Sequence, residues 1–134
     1  MLKIQNGKIK VGEVAFSLPE NFFIESVNES SCAFRLDDIF LQIGVEESPF
    51  GVEQILLDNV GEHQDYLPAS ELLCVSRGNK RGKAVFACAK ENKLYYYEER
   101  FDLANGNHLF IVAEGRNKNL LSQKEIQDFL NGVA

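Results

Sequence analysis

The run Leu94-Tyr-Tyr-Tyr-Glu-Glu-Arg100 gathers phenols, carboxylates and a guanidinium more densely than any other stretch of this chain. Successive side chains of an extended strand point to opposite faces, so Tyr95, Tyr97, Glu99 and Phe101 share one face and Leu94, Tyr96, Glu98 and Arg100 the other. Glu98 and Glu99 therefore diverge, and by themselves they cannot form the facing carboxylate pair that glycoside hydrolysis needs. Two uses of the run remain. It can be a long central strand held by aromatic cross-strand pairs. Alternatively, one face, wet at its rim, presents tyrosine with glutamate or arginine to a peptide or small ligand, as amphipathic aromatics do at interfaces. On the second reading the candidate binding residues are Tyr95, Tyr97, Glu99 and Arg100.

Other reactive side chains are scattered. His63 falls in a polar stretch and His108 follows an Asn-Gly pair; neither has the HxH, HxxxH or HExxH spacing of a metal site, and both are expected at the surface. Cys32, Cys74 and Cys88 are an odd number with no CxxC pair, which reads as reduced thiols, Cys32 and Cys88 in apolar strand contexts. No serine sits in a GxSxG elbow. Gly78-Asn-Lys-Arg-Gly-Lys83 is one residue short of a phosphate loop and lacks its Ser or Thr, so it reads as a basic turn, with Arg77, Lys80, Arg81 and Lys83 as a local basic patch. Asn28-Glu29-Ser30 matches a glycosylation acceptor, a tripeptide common by chance. The sequence thus assigns no catalytic residue, no metal ligand and no cofactor. An enzyme would need His63, His108, Cys74 and acidic residues to converge in space.

Composition narrows the partners. The net charge of −6 repels a phosphate backbone, which sets nucleic acid aside. No run approaches the ~18 apolar residues of a membrane span, and the first residues lack the apolar core of a secretion signal, so a cytoplasmic location is expected. Residues 1–134 read as one domain with its own core.

The elements that must position these groups follow from periodicity. Alternation predicts strands at Ile9–Val11, Val14–Leu18 and Phe22–Val27, a hairpin of Cys32–Leu36 with Ile39–Val45 turned at Asp37-Asp38, and a short strand at Glu71–Ser76. Further strands are expected at Ala84–Lys90, Lys93–Leu103 and His108–Glu114, the last two joined at the Asn105-Gly106 hairpin signal. Ser48-Pro49 predicts a helix start, with Val52, Ile55, Leu56 and Val60 as its apolar stripe. Gly61–Ser70 reads as the longest loop, and Arg77–Lys83 as a turn. Ser122 with Glu125 predicts a capping box for a last helix that presents Ile126, Phe129, Leu130 and Val133. The fold class is α+β: a mainly antiparallel sheet of about six to seven strands with two flanking helices.

A strand ending Phe16-Ser-Leu-Pro-Glu-Asn-Phe22, a hairpin, a helix, then Gly82-Lys-Ala-Val-Phe86 leading to the tyrosine-rich strand, and a final helix with Ile126-Gln-Asp-Phe129, resemble the Mog1/PsbP-like fold group, which includes DcrB and DUF1795 proteins. The resemblance covers about residues 14 to 130 and implies a sandwich of antiparallel sheet and helices that binds proteins and does not catalyse. It implies a protein partner, with the chain a monomer or homodimer, and transfers no binding residue. A cytoplasmic chaperone or adaptor for a secreted effector is the alternative, and a small enzyme the second alternative.

Overall fold

The computed structural model describes residues 3–5, 8–19, 21–61, 72–88 and 93–133. The fold is α+β. Strands β1 (Lys3–Gln5), β2 (Lys8–Val11) and β3 (Val14–Ser17) form a three-stranded antiparallel meander. The main sheet has seven strands: β4 (Phe23–Val27), β5 (Ser31–Leu36), β6 (Ile39–Glu47), β7 (Leu73–Arg77), β8 (Lys80–Cys88), β9 (Tyr95–Asp102) and β10 (Asn107–Gly115). Their spatial order is β4-β5-β6-β10-β9-β8-β7, and every pairing is antiparallel. Helix α1 (Val52–Gly61) joins the two halves of the sheet, and α2 (Lys124–Asn131) follows β10.

Both sheet faces are covered, which explains why the central strands carry apolar or paired residues at every position. On one face α2 and the small meander close the larger core. Phe16 of β3, Phe34 of β5 and Phe129 of α2 meet edge to face there, with ring centroids 6.0–6.2 Å apart. The predicted stripe of Ile126, Phe129, Leu130 and Val133 is fully buried in it. On the opposite face Leu56 and Val60 of α1 pack on Val85, Ala87, Tyr96 and Val112.

Two glycines make this packing feasible. Gly44 pairs across β6 and β10 with Phe110, whose ring lies where a Cβ at position 44 would stand, within 2.5 Å. At Gly82 a Cβ would lie 2.1 Å from the Arg100 carbonyl oxygen and 2.6 Å from the Phe101 ring.

The helices begin later than their sequence signals. The Ser48 hydroxyl accepts the Phe50 N–H at 3.2 Å, which makes a local turn, and the first α1 bond runs from Ile55 N–H to the Gly51 carbonyl at 3.2 Å. Burial of Leu120 draws Leu120–Ser122 into a 3-10 turn, so Gln123 takes the N-cap of α2 without a side-chain cap bond. The capping box of Ser122 and Glu125 does not form. The Asn105-Gly106 signal also gives a wider loop than a two-residue hairpin: Ala104–Gly106 form a 3-10 turn with Gly106 at φ +76°, closed by Leu103 N–H to the Asn107 carbonyl at 2.8 Å. Conversely, the predicted turn over Arg77–Lys83 contracts to Gly78-Asn79, with Gly78 at φ +58°, and both strands run on into it. The predicted loop from Gly61 to Ser70 falls, after Gly61, outside the described residues.

Candidate functional site

Strand β9 lies between β8 and β10, and its alternation is as the sequence predicts. Its faces, however, are not open. Tyr97, Glu98, Glu99 and Arg100 are each no more than 5% exposed, and Tyr95 is half-buried, stacked on Phe86 at 5.9 Å. The proposed set of Tyr95, Tyr97, Glu99 and Arg100 is moreover divided, because Arg100 belongs to the opposite face from the other three. The expectation of a wet binding face on this strand fails because α1 and α2 cover the two sides on which these groups stand.

The strand instead holds two buried polar networks, one per face, offset by one residue. Facing α2, Glu99 accepts both arms of the Arg77 fork, Nε to Oε1 at 2.9 Å and NH2 to Oε2 at 2.5 Å, and also the Tyr97 hydroxyl. Arg77 reaches Glu99 from β7 because β8 places only Gly82 and Ala84 at the intervening positions of that face. It also donates to Asn131 Oδ1 at 3.4 Å. The hydrogen bond to Glu99 raises the Arg77 pKa above its ordinary value despite burial. Facing α1, Glu98 accepts the Tyr96 hydroxyl at 2.6 Å, Asn59 Nδ2 at 2.8 Å and Arg100 Nε at 2.6 Å. Arg100 NH1 also meets Glu46 at 2.5 Å, and its guanidinium lies 5.3 Å from the Phe110 ring centroid.

His108 is buried against Arg100, contrary to the surface placement expected of it. Arg100 NH1 lies 3.4 Å from His108 Nδ1, and the other ring nitrogen, Nε2, lies 3.5 Å from Asp102 Oδ1. His63 lies outside the described residues.

Chemically these networks hold structure. Burial, reinforced by the adjacent carboxylate, pushes both Tyr96 and Tyr97 far above the usual phenol range, so they act as hydrogen-bond donors and not as acids at neutral pH. Each central carboxylate is saturated by donors and faces away from the other. Among the described residues no group of His, Cys, Asp and Glu is arranged to hold a metal ion.

The available surfaces lie elsewhere. At one sheet edge every residue of β4 is exposed, with Phe23, Ile24 and Val27 at 76%, 56% and 51%. A bulge at Glu25 interrupts its pairing with β5, and Glu25 turns to Arg35 at 2.9 Å. The sequence held a signal for this: Phe22-Phe23-Ile24 breaks the alternation, and adjacent apolar residues in a strand cannot all face one core. At the other edge a cleft of about 770 Å³ is lined by the start of α1, the β7–β8 hairpin and Asp102. Within it the exposed Cys74 thiol lies 3.3 Å from Lys83 Nζ. Cys32 is buried, which raises its thiol pKa, and Cys88 is half-buried. The pairing of Cys74 with Lys83 was hidden in the sequence because Lys83 falls inside the stretch read as a turn. The Asn28-Glu29-Ser30 tripeptide is a local turn whose Asn28 Oδ1 accepts the Ser30 and Ser31 N–H groups, each at 2.9 Å.

The chain matches no protein-family profile and no curated protein. It is similar in structure to a protein from Bacteroides thetaiotaomicron VPI-5482 whose crystal structure was solved at 1.50 Å resolution, with a TM-score of 0.56 and 15% identity. That alignment covers 97% of this chain and 48% of the other, so this chain spans about half the neighbour's length. A likeness at that identity speaks for the fold alone. No helix among the described residues is long and apolar enough to cross a membrane.

Proposed function

We propose that this chain is a non-catalytic protein-binding module of the Mog1/PsbP-like kind that docks its partner along strand β4. The observation that carries this reading is the exposure of Phe23, Ile24 and Val27 on a strand that, among the described residues, has no neighbour on its outer side. Proteins blunt exposed edges against chance pairing, as the shortness of β4 and its bulge at Glu25 do here, and apolar side chains kept exposed on such an edge support its receiving an apolar surface. The bulge at Glu25 divides the edge, so a partner takes up main-chain bonds on either side of it and gains its affinity from the apolar side chains. Burial of the tyrosine-rich strand speaks against docking on the central strand, where the sequence suggested it, and supports this edge instead.

A photo-reactive phenylalanine analogue at Val27 tests the reading in cells. A cross-linked adduct of one discrete mass is expected, lost in Ile24→Lys and absent when the analogue replaces exposed Leu57 on α1. Indiscriminate adducts from both positions, or none from β4, defeat the proposal. The mass of the adduct separates a second copy of the chain from another protein, an effector segment among them.

A further inference from the structure

We propose, on the reading of β4 as the docking edge, that the partner received there is a cationic segment of another protein, an extended stretch in which basic residues alternate with apolar ones. The charge of this chain is unevenly placed. Residues 21–47, which form β4, β5, β6 and the turns between them, hold six acidic residues and one basic residue, Arg35, whereas the rest of the chain holds fourteen acidic and thirteen basic residues. Nearly all of the net charge of −6 therefore belongs to the three strands at the β4 end of the sheet. Arg35 is already engaged within this end, its Nε held by Glu25 Oε1 at 2.9 Å and its guanidinium 5.2 Å from the Phe40 ring centroid.

Exposed carboxylates stand toward both ends of β4. Glu29 lies in the turn from β4 to β5, and Glu46 and Glu47 end β6, which comes alongside that turn through the 2.8 Å bond from Val45 N–H to the Ser30 carbonyl. Asp37 and Asp38 form the turn from β5 to β6 at the opposite end. Internal contacts leave most of this field in place: Arg100 stands between two carboxylates, Glu46 and Glu98, and Asp38 takes only a neutral donor, the Arg116 N–H, at 2.8 Å. Between these charges β4 shows apolar side chains on both faces. The bulge at Glu25 sets Ile24 opposite Phe34 and Val27 opposite Cys32, on the face of the larger core, and Phe23 opposite Arg35 on the other face. A strand added at this edge alternates its own side chains between the same two faces, so its apolar residues cover Phe23, Ile24 and Val27 while its cations reach the flanking carboxylates. The same field opposes other occupants. Two-fold pairing of β4 with β4 of a second copy brings two acidic ends together, and phosphate backbones and anionic lipid headgroups are repelled.

Fluorescence polarisation with two short labelled peptides tests this, one alternating lysine with valine and the other glutamate with valine. The lysine peptide is expected to bind about tenfold more tightly, a factor within the range of local charge steering. Raising salt from about 0.1 M to about 1 M, which shortens the screening length from ~10 Å to ~3 Å, should erase that preference in the unmutated protein, so the proposal is judged even if a variant misfolds. Asp37→Asn with Glu47→Gln should reduce the preference; asparagine is used at position 37 because φ there is +52°, a conformation it tolerates. Ile24→Lys should abolish binding of the lysine peptide. Equal affinity for the two peptides, binding of neither, or binding of the lysine peptide that Ile24→Lys leaves intact overturns the proposal. Cross-linking from Val27 in cells separates the two readings. A discrete adduct with a basic segment supports both; one with an acidic segment or with a second copy of this chain overturns the cationic assignment and leaves the β4 edge standing, whereas the absence of any β4 adduct defeats both.

Discussion

A buried carboxylate stabilises the fold only while its donors stay in place, and Glu99 takes both arms of one guanidinium. Arg77→Met should therefore cost about 3–5 kcal/mol in urea denaturation, because it leaves an uncompensated charge in the larger core. Adding Glu99→Leu to that variant should restore most of the loss, since an apolar pair of similar volume replaces the ionic one. If the double variant is no more stable than the single one, the Tyr97 hydroxyl, which loses its Glu99 acceptor, offsets the gain from removing the charge. The facing of these residues was legible in the sequence, because alternation alone separates Tyr97 and Glu99 from Glu98 and Arg100. Their partners were not. Arg77 lies two strands away from Glu99, and Asn59 reaches Glu98 from a helix, contacts that depend on strand order and helix placement.

Among the elements, the strands and helix stripes were readable because period and polarity repeat over many residues, whereas the boundaries depended on single side chains that had other uses. Ser122 has the right type and spacing to cap α2, but Leu120 is buried and its turn shifts the helix start by one position. Ser122→Ala should accordingly change stability by less than about 0.5 kcal/mol, where loss of a working cap typically costs about 1 kcal/mol. Thermal denaturation of the two proteins side by side distinguishes these outcomes. That β4 and β7 stand at the two ends of the described sheet was not readable, because it is a property of sheet order, although the run Phe22-Phe23-Ile24 marked apolar residues that could not all face one core.

For the whole molecule, the two networks make alkaline pH the vulnerable side. Tyr96 and Tyr97 have pKa values raised in the fold above the ordinary 10.0 by burial, so above that value the unfolded chain has released protons that the folded one keeps. The unfolded state then binds fewer protons, and stability falls as pH rises, by up to about 1.4 kcal/mol per pH unit for each tyrosine. Stability from urea denaturation should be nearly level up to about pH 9 and should approach this slope above about pH 10, and Tyr96→Phe with Tyr97→Phe should flatten it. A slope unchanged by the two substitutions would place its origin elsewhere. The order of the sheet has a further consequence, in time. Strand β6 has β10 as its inner neighbour, so Leu41 and Ile43 have no completed sheet until the chain has been made through Gly115, and Phe16 and Phe34 wait longer still for Phe129. A chain stopped at Asp102 should remain without stable structure by circular dichroism. The chain must thus emerge from the ribosome through β10 before the main sheet can close, and until then the apolar β5–β6 hairpin is what a nascent-chain chaperone would meet.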